Sequence, residues 1–106
     1  MSFPFLMKRI KRKTTLEMLW PYFLRLLMER PMYVYELKKE VTRRFGFTFQ
    51  LSAASRVLRR LQQEGHVVSE WRTEGRPRKY YRITPKGREL LESFRKYLAE
   101  MQGKFR

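Results

Sequence analysis

Serine, arginine and glutamine recur along one short stretch, at Ser52, Ser55, Arg56, Arg59, Arg60 and Gln63. Intervals of three and four place them on one side of an α-helix. Hydroxyls and amides both donate and accept hydrogen bonds, and each guanidinium adds a rigid fork of donors with a permanent charge. Such a face suits phosphate oxygens and base edges, because Arg matches guanine and Gln can pair with adenine. No acidic residue interrupts it before Glu64. A second cluster, Arg76, Arg78 and Lys79, follows Gly75 and brackets Pro77 in a loop-forming run. These cations can reach phosphates or a narrow minor groove, where negative potential concentrates.

Enzyme chemistry has no comparable footing. His66 is the only histidine, Cys and Asp are absent, and the Glu residues are scattered along helical stretches. Neither a metal-ligand cluster, nor paired carboxylates, nor a phosphate-cradling glycine loop can be assembled from them. The reading is a binding protein, not an enzyme, with no cofactor implied.

The whole composition points the same way. Against 25 Lys and Arg stand 10 acidic residues, a net charge of +15. A chain so charged repels itself and seeks polyanions. Its 106 residues allow one domain, and 42% hydrophobic content supplies a core. No apolar run is long enough to span a bilayer, so no membrane partner is expected. The absence of cysteine fits a reducing cytoplasm.

The elements that must carry these residues can be drawn from periodicity and punctuation. Residues 1–13 end in Lys8-Arg9-Ile10-Lys11-Arg12-Lys13 and read as a basic arm. A first helix is expected from Thr14, in a capping box with Glu17, to about Glu29. Leu16, Leu19, Trp20, Phe23, Leu26 and Leu27 follow helical spacing, and Met18, Tyr22 and Leu24 make it apolar nearly all round. Such a helix must be covered on more than one side, by its own domain and by a partner subunit. Pro21 should kink it or split off its first turn. A second helix is expected over 34–45, with Val34, Leu37 and Val41 inward and Gly46 as its stop. A short strand is expected over 48–51.

The third helix is expected over 53–64, with Ser52 as N-cap, Ala54, Val57, Leu58 and Leu61 as its core stripe, and Gly65 as its stop. Strands over 67–72 and 79–83 flank the basic loop, with Trp71, Tyr80 and Tyr81 packing the hairpin. Thr84-Pro85 opens the last helix, expected to run to about Met101, because Thr caps and Pro tolerates the first position. Its stripe of Leu90, Leu91, Phe94, Leu98 and Met101 is expected to pair with the first helix and, together with Leu19, Trp20 and Phe23 of that helix, with a second copy. The fold class is therefore mainly α with a small β-hairpin wing. A winged helix-turn-helix domain spans 14–84, and a C-terminal dimerisation helix spans 85–106.

These residues resemble the PadR-like transcriptional regulators. Gly75-Arg76-Pro77-Arg78-Lys79-Tyr80-Tyr81-Arg82-Ile83-Thr84-Pro85-Lys86-Gly87 is similar to the family's wing signature. Leu58-Arg59-Arg60-Leu61-Gln62-Gln63-Glu64-Gly65 resembles the end of its recognition helix, and Tyr35-Glu36-Leu37 the start of its second helix. Val34 stands where the family commonly has Gly, and Ser55 where it often has Tyr. The resemblance implies a cytoplasmic, repressor-like homodimer that in some members is controlled by a small molecule.

The expected partner is double-stranded DNA. The helix bearing Arg56 would enter the major groove, and a homodimer would bind an inverted repeat with half-sites about 34 Å apart. Trp20, Phe23 and Phe94 are candidates to line a pocket for a small hydrophobic effector, although such residues are more often core. Charge alone fits equally well an architectural protein that coats DNA without sequence preference. An RNA- or protein-binding winged helix is a further alternative.

Overall fold

The computed structural model describes residues 19–106. The basic arm and the Thr14–Glu17 capping box lie outside the described residues. Four helices and a hairpin follow in the order α1 (Leu19–Leu27), α2 (Val34–Phe45), α3 (Leu51–Gln63), β1 (Val67–Arg72), β2 (Arg78–Ile83) and α4 (Pro85–Lys104). The molecule is mainly helical with a two-stranded antiparallel wing.

The hub is α1. Leu19, Phe23, Leu24, Leu26 and Leu27 are buried, and the helix packs against α2, α3, β2 and α4 of the same chain. The expected pairing of the last helix with the first is present, and α4 supplies part of the cover of α1 within the chain. Pro21 is buried in the first described turn, and the helix stops at Leu27, short of Glu29.

Leu37 and Val41 bury one stripe of α2, and Val34 is half-buried. Gly46 ends α2 in the left-handed region at φ 75°, where its N–H donates to the Thr42 carbonyl. No strand forms over 48–51. Phe49 is instead buried edge-on to Phe23, with ring centroids 5.3 Å apart. That anchor fixes the entry to α3. The helix therefore begins at Leu51, with Gln50 at the cap position and no side-chain cap bond. Ser52, expected to cap, lies inside the helix and is exposed. Ala54, Leu58 and Leu61 are buried, and Val57 is half-buried.

The strands pair in the register Val67↔Ile83, Ser69↔Tyr81 and Trp71↔Lys79. β2 begins one residue earlier than expected, at Arg78. Met32 adds a bridge on the other edge of β2: its N–H donates to the Tyr81 carbonyl at 3.1 Å, and the Tyr81 N–H returns a bond at 2.8 Å. Trp71 does not pack the wing, being 66% exposed.

The turn into α4 is tied to the end of α3. Thr84 Oγ1 accepts from the Gly87 N–H at 3.1 Å and donates to the Gly65 carbonyl at 2.6 Å. Lys86 Nζ donates to the Glu64 carbonyl at 2.7 Å. Gly87 lies so close to this turn that a Cβ would stand 2.2 Å from the His66 carbonyl oxygen. α4 then runs past Met101 to Lys104. No helix among the described residues is long and apolar enough to cross a membrane.

Candidate nucleic-acid interface

All six candidate residues of α3 are exposed. Burial of Ala54, Leu58 and Leu61 turns the opposite side outward, as helical spacing requires. The structure distributes the six over two flanks. Ser55, Arg59 and Gln63 line a hollow of about 500 Å3 shared with Gln62, Lys79 and Tyr81 of the wing side. Ser55 and Lys79 continue into a cleft of about 720 Å3 bounded by Arg76, Arg78 and Trp71 on the wing and Tyr33 and Tyr35 at the start of α2. Arg56 and Arg60 instead border a hollow of about 910 Å3 with Trp20, His66, Lys86 and Leu90, and Gln63 touches it too. Ser52 borders none of these hollows.

Charge pairing separates this surface from the rest. On the α1–α2 side the arginines meet carboxylates: Arg25 with Glu29 at 3.1 Å, Arg30 with Glu36 at 2.9 Å, and Arg43 with Glu40 at 2.7 Å. Arg44 holds Glu40 at 2.8 Å and Glu29 at 2.8 Å. The Arg44 hydrogen bond draws the Glu29 carboxyl below its usual value of 4.5. The Arg43 hydrogen bond does the same for Glu40. By contrast Arg56, Arg59, Arg76, Arg78 and Lys79 form no ion pair with a carboxylate among the described residues. Arg60 has only a loose contact to Glu64 at 3.4 Å, and its side chain is 77% exposed.

Wing cations rest on aromatic rings instead. The Arg78 guanidinium lies 4.7 Å from the Tyr33 ring centre, and Lys79 Nζ lies 5.6 Å from that of Tyr81. Tyr33 in turn meets Tyr80 edge-on at 5.3 Å. Ring faces position a cation without neutralising it. Sequence reasoning missed Tyr33 as a support, because only the Met32 bridge brings it beside β2. It also passed over Gln62, whose Oε1 accepts from Ser69 Oγ at 3.0 Å and joins α3 to the wing.

The expected dimerisation residues divide as well. Leu19, Phe23 and Leu91 are at most 5% exposed in the single chain, so their side chains are spent on its own core. Phe23 consequently lines no effector pocket. Trp20 packs edge-on against Phe94 at 5.1 Å, and both are half-buried. Leu90 and Met101 are half-buried, whereas Leu98 is 48% exposed. A groove of about 410 Å3 runs between Pro21, Tyr22, Phe45, Leu91, Phe94 and Leu98, flanked by Arg25 and Arg95. His66 is half-buried with Nδ1 unpartnered among the described residues, and no cluster of metal-ligating side chains occurs among them.

Comparison with known proteins places this arrangement. The family model described as "Transcriptional regulator PadR-like family" matches residues 23–93. An uncharacterised protein of Lysinibacillus sphaericus is 34% identical over 83 residues, which cover 74% of this chain and 76% of that one. Among solved structures, a PadR family transcriptional regulator from Eggerthella lenta superposes with a TM-score of 0.82 at 27% identity, covering 99% of this chain and 89% of its own. A PadR-like transcriptional regulator from Bacillus cereus gives 0.74 at 26% identity, covering 88% and 92%. With its wing, its third helix and the turn that joins them all falling inside the matched span, the chain belongs to the PadR-like family of transcriptional regulators.

Proposed function

We propose that the protein is a sequence-specific DNA-binding repressor that acts as a homodimer on an inverted repeat. One observation carries this reading: Arg56, Arg59, Arg76, Arg78 and Lys79 have no carboxylate partner among the described residues, while Arg25, Arg30, Arg43 and Arg44 around α1 and α2 are all paired. Free cations can exchange counterions for phosphates, which drives duplex binding. α3 enters the major groove. Arg56 is the first candidate for a base edge, with Ser52, Ser55 and Gln63 beside it, and Arg59 and Arg60 hold phosphates. Arg76, Arg78 and Lys79 grip the backbone beside it and fix the register.

The second copy docks on the groove beside α4, where Phe94 and Leu98 share an apolar surface with Tyr22 and Phe45. A bound dimer occupies the duplex and excludes polymerase, so repression is the expected output. Selection of bound duplexes from a random pool, followed by footprinting, tests the reading. A protected palindrome is the expected result. Uniform protection without a selected sequence would replace it with an architectural, DNA-coating role.

A further inference from the structure

Trp71 is among the large apolar side chains that the fold leaves bare. Exposing a large aromatic ring forfeits its hydrophobic burial. Yet Trp71 is 66% exposed. Strand alternation explains where it stands. Val67, Ser69 and Trp71 share one face of the hairpin with their cross-strand partners Ile83, Tyr81 and Lys79. At the base of the hairpin that face is consumed: Val67 and Ile83 are buried, and Ser69 bonds Gln62 of α3. Towards the tip nothing covers it, and Trp71 looks over the cleft between wing and helices.

Across that cleft stands Tyr35, 62% exposed, with Ser55 on the floor and Arg76, Arg78 and Lys79 along the rim. Two bare aromatic rings among unpaired cations complement a chain of alternating sugars and phosphates, apolar at one spacing and anionic at the next. We propose that this cleft receives one strand of duplex DNA. Trp71 and Tyr35 lie against its deoxyriboses while Arg76, Arg78 and Lys79 neutralise its phosphates. This assignment rests on the DNA-binding reading above and adds a contact that charge does not provide. An apolar contact to the sugar is independent of base sequence, so Trp71 sets affinity and leaves base preference untouched.

The test uses the full chain and a mixed-sequence DNA duplex of about 21 base pairs, two helical turns. Trp71→Ala should weaken binding about tenfold, from loss of the apolar area the ring covers on the sugars. Its salt dependence should keep the wild-type slope, because no cation is removed. Trp71→Phe should restore most of the affinity. The duplex should also shift the tryptophan emission of the wild type, and Trp71→Phe should remove most of that shift, leaving only what Trp20 contributes; circular dichroism confirms that both variants fold. Wild-type affinity in Trp71→Ala overturns the contact while leaving the regulator reading intact. A reduced salt slope in that variant overturns it too, as the signature of a displaced cation. A stronger response to a structured RNA overturns it in favour of that partner. Failure of the wild type to retain any duplex at moderate salt sinks both readings.

Discussion

Arg44 and Arg56 have identical side chains and opposite prospects. Arg44 is held by Glu29 and Glu40, so meeting a phosphate would first require breaking those bonds. Arg56 has no carboxylate to leave. Arg56→Ala should therefore cost about 1–3 kcal/mol on a selected site and loosen base preference, measured by competition between selected and scrambled duplexes. Arg78→Ala should weaken all sequences alike and lower the dimer's salt slope by about two, one phosphate contact per copy. If Arg56→Ala matched the wild type on both duplexes, α3 would not be the reading element. Residue types and helical spacing made these candidates legible in the sequence. Their division between two flanks was not, because it depends on how α3 is rotated against α1 and the wing. Nor could local sequence reveal that Arg78 rests on Tyr33.

Elements were legible where punctuation is chemical and illegible where tertiary contacts override it. Gly46 ends α2 as expected, since only a residue without Cβ adopts φ 75° freely. Ser52 carried the strongest capping signal near α3, yet Phe49 anchors the chain earlier and the helix starts ahead of it. The strand expected over 48–51 does not form, because no neighbouring strand among the described residues is there to pair with it. The wing signature, by contrast, now has a mechanical meaning. Thr84, Lys86 and Gly87 fasten the exit of the hairpin to the last carbonyls of α3. Gly87→Ala would force its Cβ into the His66 carbonyl. It should cost about 3 kcal/mol, read from the urea midpoint, and weaken DNA binding by displacing the wing. Acid should act on the other side of the domain. Glu29 and Glu40 have lowered pKa values in the fold. Their contribution is complete above the ordinary value of 4.5 and is lost as pH falls through the lowered ones. Denaturant midpoints should thus decline on acidification in the wild type and less steeply in Arg44→Ala.

For the whole molecule, the excess of positive charge announced a polyanionic partner before any element was placed. Self-association was harder to read. Apolar residues of α1 suggested a subunit contact, but much of that surface closes on α4 within the chain. What is left for a second copy is concentrated around Leu98. Leu98→Asp should raise the dimer dissociation constant by about 100-fold or more, because each copy would bury an unpaired charge. Sedimentation would then show monomers with unchanged helical content. If the dimer neutralises roughly eight phosphates, log K should fall with log salt at a slope near −7, and that monomeric variant should give about half of it.

Separating matched from unmatched charge also makes the molecule electrically lopsided. The α1–α2 stretch carries six cations against three carboxylates, while α3 and the wing carry eight against three. In the field of a polyanion such a body experiences a torque as well as a pull, and it arrives already turned to bind. Encounters should therefore be productive more often than random collision allows. Dilute electrolyte should raise the on-rate steeply, while the lifetime of the complex, set by short-range contacts, should change far less.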